Sequence, residues 1–154
     1  EWMALKVFLN QNGKFEEDPD AFGPENTAGW WNCITTFDAD NDGDLDVIVS
    51  HVDLEASAVL LRNDCSNNNY WLGIQLKGRE GPAAAICARV LIHQGAQSST
   101  HINQWTTTYL SNSDPRLFAG LGQNGMVDSI EVFWMDGSKD GPESNQYISL
   151  KQGK

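Results

Sequence analysis

The stretch that most restricts this chain is Asp38-Ala39-Asp40-Asn41-Asp42-Gly43-Asp44-Leu45-Asp46. Asp fills every second position from 38 to 46, and Gly43 stands where a tight loop needs freedom that a Cβ would deny. Five carboxylates this close repel one another unless a positive charge sits among them. A hard dication with six to eight oxygen ligands at about 2.3–2.6 Å meets that need, and Ca²⁺ meets it better than the smaller, more demanding Mg²⁺. A solvated acidic turn is the ordinary fate of a charge run. Strict alternation with an internal Gly favours a calcium loop instead.

The kind of calcium loop follows from its surroundings. An EF-hand also begins D-x-D-x-D-G, but it needs a bidentate Glu at its twelfth position and a helix on either side. The twelfth position counted from Asp38 is Val49, which cannot ligate. The flanks, Trp-Trp-Asn-Cys-Ile-Thr-Thr-Phe before and Leu-Asp-Val-Ile-Val-Ser after, are rich in the β-branched and aromatic residues of strands. The loop is expected to join two strands.

The residues from Phe37 through Val47 resemble the calcium loop of the FG-GAP/VCBS repeats, which form β-propeller blades in extracellular proteins. The resemblance implies that Asp38, Asp40, Asp42 and Asp46 ligate Ca²⁺ through their carboxylates and Asp44 through its backbone carbonyl. The match has no gap and lacks no ligand.

The 154 residues suffice for one large or two small domains. Ten basic and 21 acidic residues give a net charge of −11, which disfavours nucleic acid, since phosphates are neutralised by Lys and Arg. No basic run suggests a membrane-surface patch, and no stretch approaches the roughly 18 apolar residues of a membrane span. The sequence opens at Glu1 with neither an initiator Met nor an apolar leader, so a processed or excerpted segment is expected. Cys33, Cys65 and Cys87 show no C-x-x-C spacing and no zinc pattern with His51, His93 or His101. Cys33 shares strand parity with Phe37, which predicts a buried free thiol. A Cys33–Cys65 bridge in an oxidising compartment is the alternative, because connectivity cannot be read from spacing.

Along the chain, Leu5–Phe15 reads as a hairpin turning through Asn10-Gln11-Asn12-Gly13. It also resembles the element between neighbouring propeller repeats. Residues 16–29, acidic with Pro19 and Pro24, read as a loop. Strands are expected at Trp30–Phe37, Leu45–Val52 and Ala58–Arg62, about one blade and part of another. Ser66-Asn67-Asn68-Asn69 marks a boundary between units at 1–66 and 67–154, with Trp71 at or near the junction. Beyond it, Trp71–Lys77, Arg89–His93, Ser98–Trp105, Ser129–Trp134 and Gln146–Leu150 read as further strands divided by Gly-rich turns, with no sustained helical period. The expected class is all-β: a propeller-blade-like sheet followed by a sandwich or barrel.

The second half resembles the ASPIC/UnbV domain that follows VCBS repeats in cartilage acidic protein and bacterial relatives. The matching pieces are Asn69-Tyr70-Trp71-Leu72-Gly73-Ile74, Ala88-Arg89-Val90, Tyr109 through Leu117, Gly120-Leu121-Gly122, Val127 through Val132 and Trp134 through Ser138. Tyr109 through Gly122 is the most specific of them. Departures are Cys87 where the family generally has Gly, a shortened 78–82 loop, and Phe118-Ala119 where His-Phe is common.

Other chemistry is thinly supported. Ser111, Ser113, Asp114, Arg116 and His101 include no G-x-S-x-G elbow and no base placed near a nucleophile. Ser113-Asp114-Pro115-Arg116 reads as a turn with a local ion pair, and Gly120-Leu121-Gly122 lacks the third Gly of a dinucleotide fingerprint. The tryptophans at 30, 31, 71, 105 and 134 could stack on sugars but belong more naturally to a core. The expected function is therefore non-enzymatic: a calcium-stabilised extracellular module of an adhesion, matrix or surface-assembly protein, secreted or at the cell surface. Its partners would be further repeats of the same protein or identical copies. A homopolymeric fibre subunit and a carbohydrate-binding accessory module, with glycans as partners, are the alternatives.

Overall fold

The computed structural model describes residues 3–22, 28–53, 55–64, 68–78, 85–106, 108–140 and 148–153. The described residues contain twelve strands, all paired antiparallel, and no α-helix. The chain is all-β, as its alternating, Gly-punctuated sequence implies.

The first strands, β1 (Val7–Gln11) and β2 (Lys14–Asp18), form a hairpin. Its turn is only Asn12-Gly13, with φ of 54° and 89°, the doubly left-handed geometry that matches the twist of the flanking strands. The turn is thus two residues long rather than the expected four, and the expected loop at Glu16 is instead strand as far as Asp18. Gln11 pairs with Lys14, and the ladder continues through Glu16 and Glu17 to Asp18. A tight turn fixes register, and an exposed hairpin needs no apolar alternation to keep it.

Next come β3 (Trp31–Phe37), β4 (Asp46–His51) and β5 (Val59–Leu61), an antiparallel meander in that order with a bulge at Trp31/Cys33. Of the described hydrophobic side chains before Tyr70, Val49 on the central strand is the only one that is fully buried. Cys33 is a half-buried free thiol whose Sγ lies 3.1 Å from Ser50 Oγ. Cys65 lies outside the described residues.

The remaining strands build a sandwich. One sheet has β11 (Lys139–Asp140), β10 (Ser129–Phe133), β7 (Arg89–Gln94) and β8 (Gln97–Ile102); the other has β12 (Ile148–Gly153), β6 (Tyr70–Leu76) and β9 (Leu117–Gly122). Side chains of like parity point to one face. Thus Leu72, Ile74 and Leu76 of β6, with Ala119 and Leu121 of β9, meet Val90, Ile92, Ile130 and Val132 of the other sheet in one buried cluster. Trp134 closes it, donating its indole N–H to the buried Asp140 carboxylate at 2.7 Å. Sequence patterning missed the two-residue β11 and also β9, the latter because Gly120 and Gly122 read as turn residues. Gly120 in fact sits on the outward face between two buried neighbours.

The sandwich meets the meander along β3. Thr108 Oγ1 donates to Ile34 O at 2.6 Å, Asp114 N donates to Thr36 O at 3.0 Å, and Thr35 Oγ1 donates to Asn112 O at 2.9 Å. Loop 108–114 thereby satisfies carbonyls that an edge strand would leave open. At the opposite edge, β5 pairs with β4 on its inner side and with no further strand on its outer side among the described residues.

Candidate metal centre

Residues 38–45 close the hairpin between β3 and β4, whose last pair is Phe37 with Asp46. That pairing draws both ends of the acidic stretch together. Inside, Asn41 at φ 63° and Gly43 at φ 98° take left-handed turns that coil the chain back on its own carboxylates. Asp42 N donates to Asp38 Oδ1 at 3.1 Å, and Asp44 N donates to Asp42 Oδ1 at 2.9 Å. These bonds hold the ring of carboxylates in shape.

The result places one carboxylate oxygen from each of Asp38, Asp40 and Asp42 within 4.8 Å of one another. Asp40 and Asp42 are exposed, whereas the Asp38 side chain has no exposed area. Its Oδ2 is buried without a hydrogen-bond partner, and leaving a charged oxygen so placed is expensive. A hard cation held by three carboxylates resolves that cost, so the residues present fit Ca²⁺.

Asp46 is not among the three. It is 1% exposed, and its two oxygens accept from Ala39 N and Asn63 N, each at 2.8 Å. It therefore ties the loop entrance to the chain leaving β5, while each oxygen retains a second lone pair. Asp44 is half-buried, and its carboxylate is likewise not among the three.

Basic groups reach the loop from two directions. Arg62 Nη1 stands 3.8 Å from Asp40 Oδ2, and its guanidinium also pairs with Asp64. From the sandwich comes Arg116, which donates from Nη1 to Asn41 Oδ1 at 2.9 Å and from Nη2 to Asp38 O at 3.2 Å. Its Nη1 lies 3.7 Å from Asp38 Oδ2. Asp114 grips the same guanidinium through Nε and Nη2. Burial pushes the Asp114 carboxyl up, but Arg116 side-chain and backbone hydrogen bonds and the Arg116 charge outweigh it and hold it below its usual range. The same pairing raises Arg116. The local ion pair expected from sequence is present; its reach to the acidic loop has no sequence signature, since no periodicity links positions so far apart.

Two family profiles match the chain. That of the FG-GAP-like repeat covers residues 2–49, which include the whole acidic loop. That of ASPIC and UnbV covers residues 78–154, half of the chain. The chain belongs to the ASPIC and UnbV family, with an FG-GAP-like repeat ahead of that domain. No curated protein and no solved structure matches it. Asp114 and Arg116 thus belong to the ASPIC and UnbV domain, and the carboxylates they approach belong to the repeat. Trp71 lies between the two matched ranges and packs on the loop: a methyl group on Gly43 would come within 1.9 Å of its indole.

Proposed function

We propose that this chain is a non-catalytic, calcium-stabilised module of an extracellular adhesion, matrix or surface-assembly protein. The observation that carries the reading is the buried Asp38 Oδ2, which accepts no hydrogen bond, beside the Asp40 and Asp42 carboxylates. When bound there, Ca²⁺ adds to the positive charge that Arg116, 3.7 Å from Asp38 Oδ2, and Arg62, 3.8 Å from Asp40 Oδ2, bring to these oxygens. Asp38, Asp40 and Asp42 would hold it, with the Asp44 carbonyl and the spare lone pairs of Asp46 completing the oxygen set. Extracellular modules work with weak sites of about 10⁻⁴–10⁻³ M, because calcium outside the cell is plentiful. No described helix is long and apolar enough to cross a membrane.

The module functions within an array of further repeats or identical copies. In support, the meander has one buried hydrophobic side chain, while Ile34, Val59 and Leu60 are exposed. A small sheet needs a second layer over its apolar face, and the open β5 edge offers unpaired backbone groups. The net charge of −11 opposes indiscriminate clumping and favours specific contact. A glycan-binding role has less support: Trp134 is buried, Trp31, Trp71 and Trp105 are half-buried, and Trp30 alone among the described tryptophans is exposed. Analytical ultracentrifugation in millimolar calcium tests the array. Concentration-dependent association is the expected result; a compact monomer at high concentration with protected β5 amides overturns it.

A further inference from the structure

We infer that the ASPIC and UnbV domain completes the metal loop of the repeat, so that metal loading and the seating of one domain on the other form a single linked equilibrium. The inference rests on the calcium reading above and goes beyond it, assigning Asp114, Arg116 and Trp71 as positioning residues for a site that none of them ligates.

A closed circuit of contacts surrounds the loop. Arg116 holds the Asp38 carbonyl and the Asn41 side chain. Asp114 accepts from Asp38 N at 3.5 Å and donates its own amide to Thr36 O at 3.0 Å. The Arg116 guanidinium lies 4.9 Å over the Phe118 ring, whose centroid is 6.2 Å from that of Trp71. Trp71 returns to the loop at Gly43 and also lies against Gly153 of β12, where a methyl group would come within 2.6 Å of the indole. Only glycine permits the ring to lie so close on both sides.

The electrostatics suit a positioning role. A lone guanidinium beside the carboxylates would repel an incoming dication. Here Asp114 neutralises it, so the pair fixes the backbone at Asp38 and Asn41 with little net charge. Domain seating thus pre-shapes the loop. By reciprocity, metal that favours the closed loop must favour the seated domain by the same factor.

Residue-resolved amide exchange by NMR, in calcium and in chelator, tests this on the intact chain. At calcium about a hundred times Kd, amides whose opening releases the metal exchange about a hundredfold more slowly. The expected result is slowing at the Asp114 amide as well as within residues 38–46. Slowing confined to residues 38–46 overturns the linkage and leaves the metal reading standing; no slowing anywhere overturns both. A second measurement uses Asp114→Ala/Arg116→Ala, which leaves net charge unchanged, so that affinity reports position. Calcium affinity by calorimetry is expected to fall about tenfold, within the 5–150-fold typical of coupled sites. Unchanged affinity in the folded variant overturns the inference.

Discussion

Gly43 answers two demands at once: a φ of 98° and contact with the Trp71 ring. Gly13, at φ 89° with open space around it, answers only the first. Gly13→Ala is therefore expected to cost about 1 kcal/mol, the backbone term alone. Gly43→Ala adds the displacement of Trp71 and should cost at least about 1 kcal/mol more, read as midpoint shifts in urea. Cys87 is the converse case. It is exposed at φ 63°, a left-handed conformation that suits Gly. Relief of left-handed strain exceeds the entropy cost of Gly, so Cys87→Gly should stabilise the fold by about 0.5 kcal/mol. His101 is held below its usual pKa by burial. Its depressed folded value means that the unfolded chain takes a proton first as pH falls below about 6.5. Wild-type stability should then drop relative to His101→Gln, levelling off once pH passes below the folded value. Parallel pH profiles of melting temperature for the two proteins would contradict this.

At the scale of elements, the meander and the sandwich differ in how much they bury. Val49→Ala removes the one buried apolar side chain of the described meander and should cost about 2 kcal/mol. Leu60 is 52% exposed, so Leu60→Ala should change the monomer by less than about 0.5 kcal/mol. A loss near that of Val49→Ala, growing with protein concentration, would place Leu60 in a contact between copies. The acidic loop and most strands were legible because they depend on neighbours in sequence: alternation, β-branching and a Gly at a turn. β9 was not, since its glycines hide an alternation visible only once Ala119 and Leu121 are seen in the core. The extent of β2 was not, because a hairpin ladder carries charged residues as readily as apolar ones. Arg116 was legible as a partner for Asp114 two residues away, but not as a clamp on Asp38, because that contact exists only after two domains dock.

Over the whole molecule, the acidic loop is both the candidate metal centre and the place where the domains touch. The sandwich has its own core, while the meander relies on the loop, on the β3 edge covered by residues 108–114, and on whatever covers its apolar face. Bound calcium would therefore act where the fold is least self-sufficient. With a site near 10⁻⁴ M, 10 mM calcium contributes about 2.7 kcal/mol to the folded state. For a chain of this length that corresponds to a melting temperature higher by roughly 5–10 °C. The direct measurement is the thermal melt of the intact chain in 10 mM calcium and in chelator, repeated for Asp42→Ala. The account predicts a rise of that size for the wild type and its loss in the variant. Identical melting temperatures in calcium and chelator would contradict it.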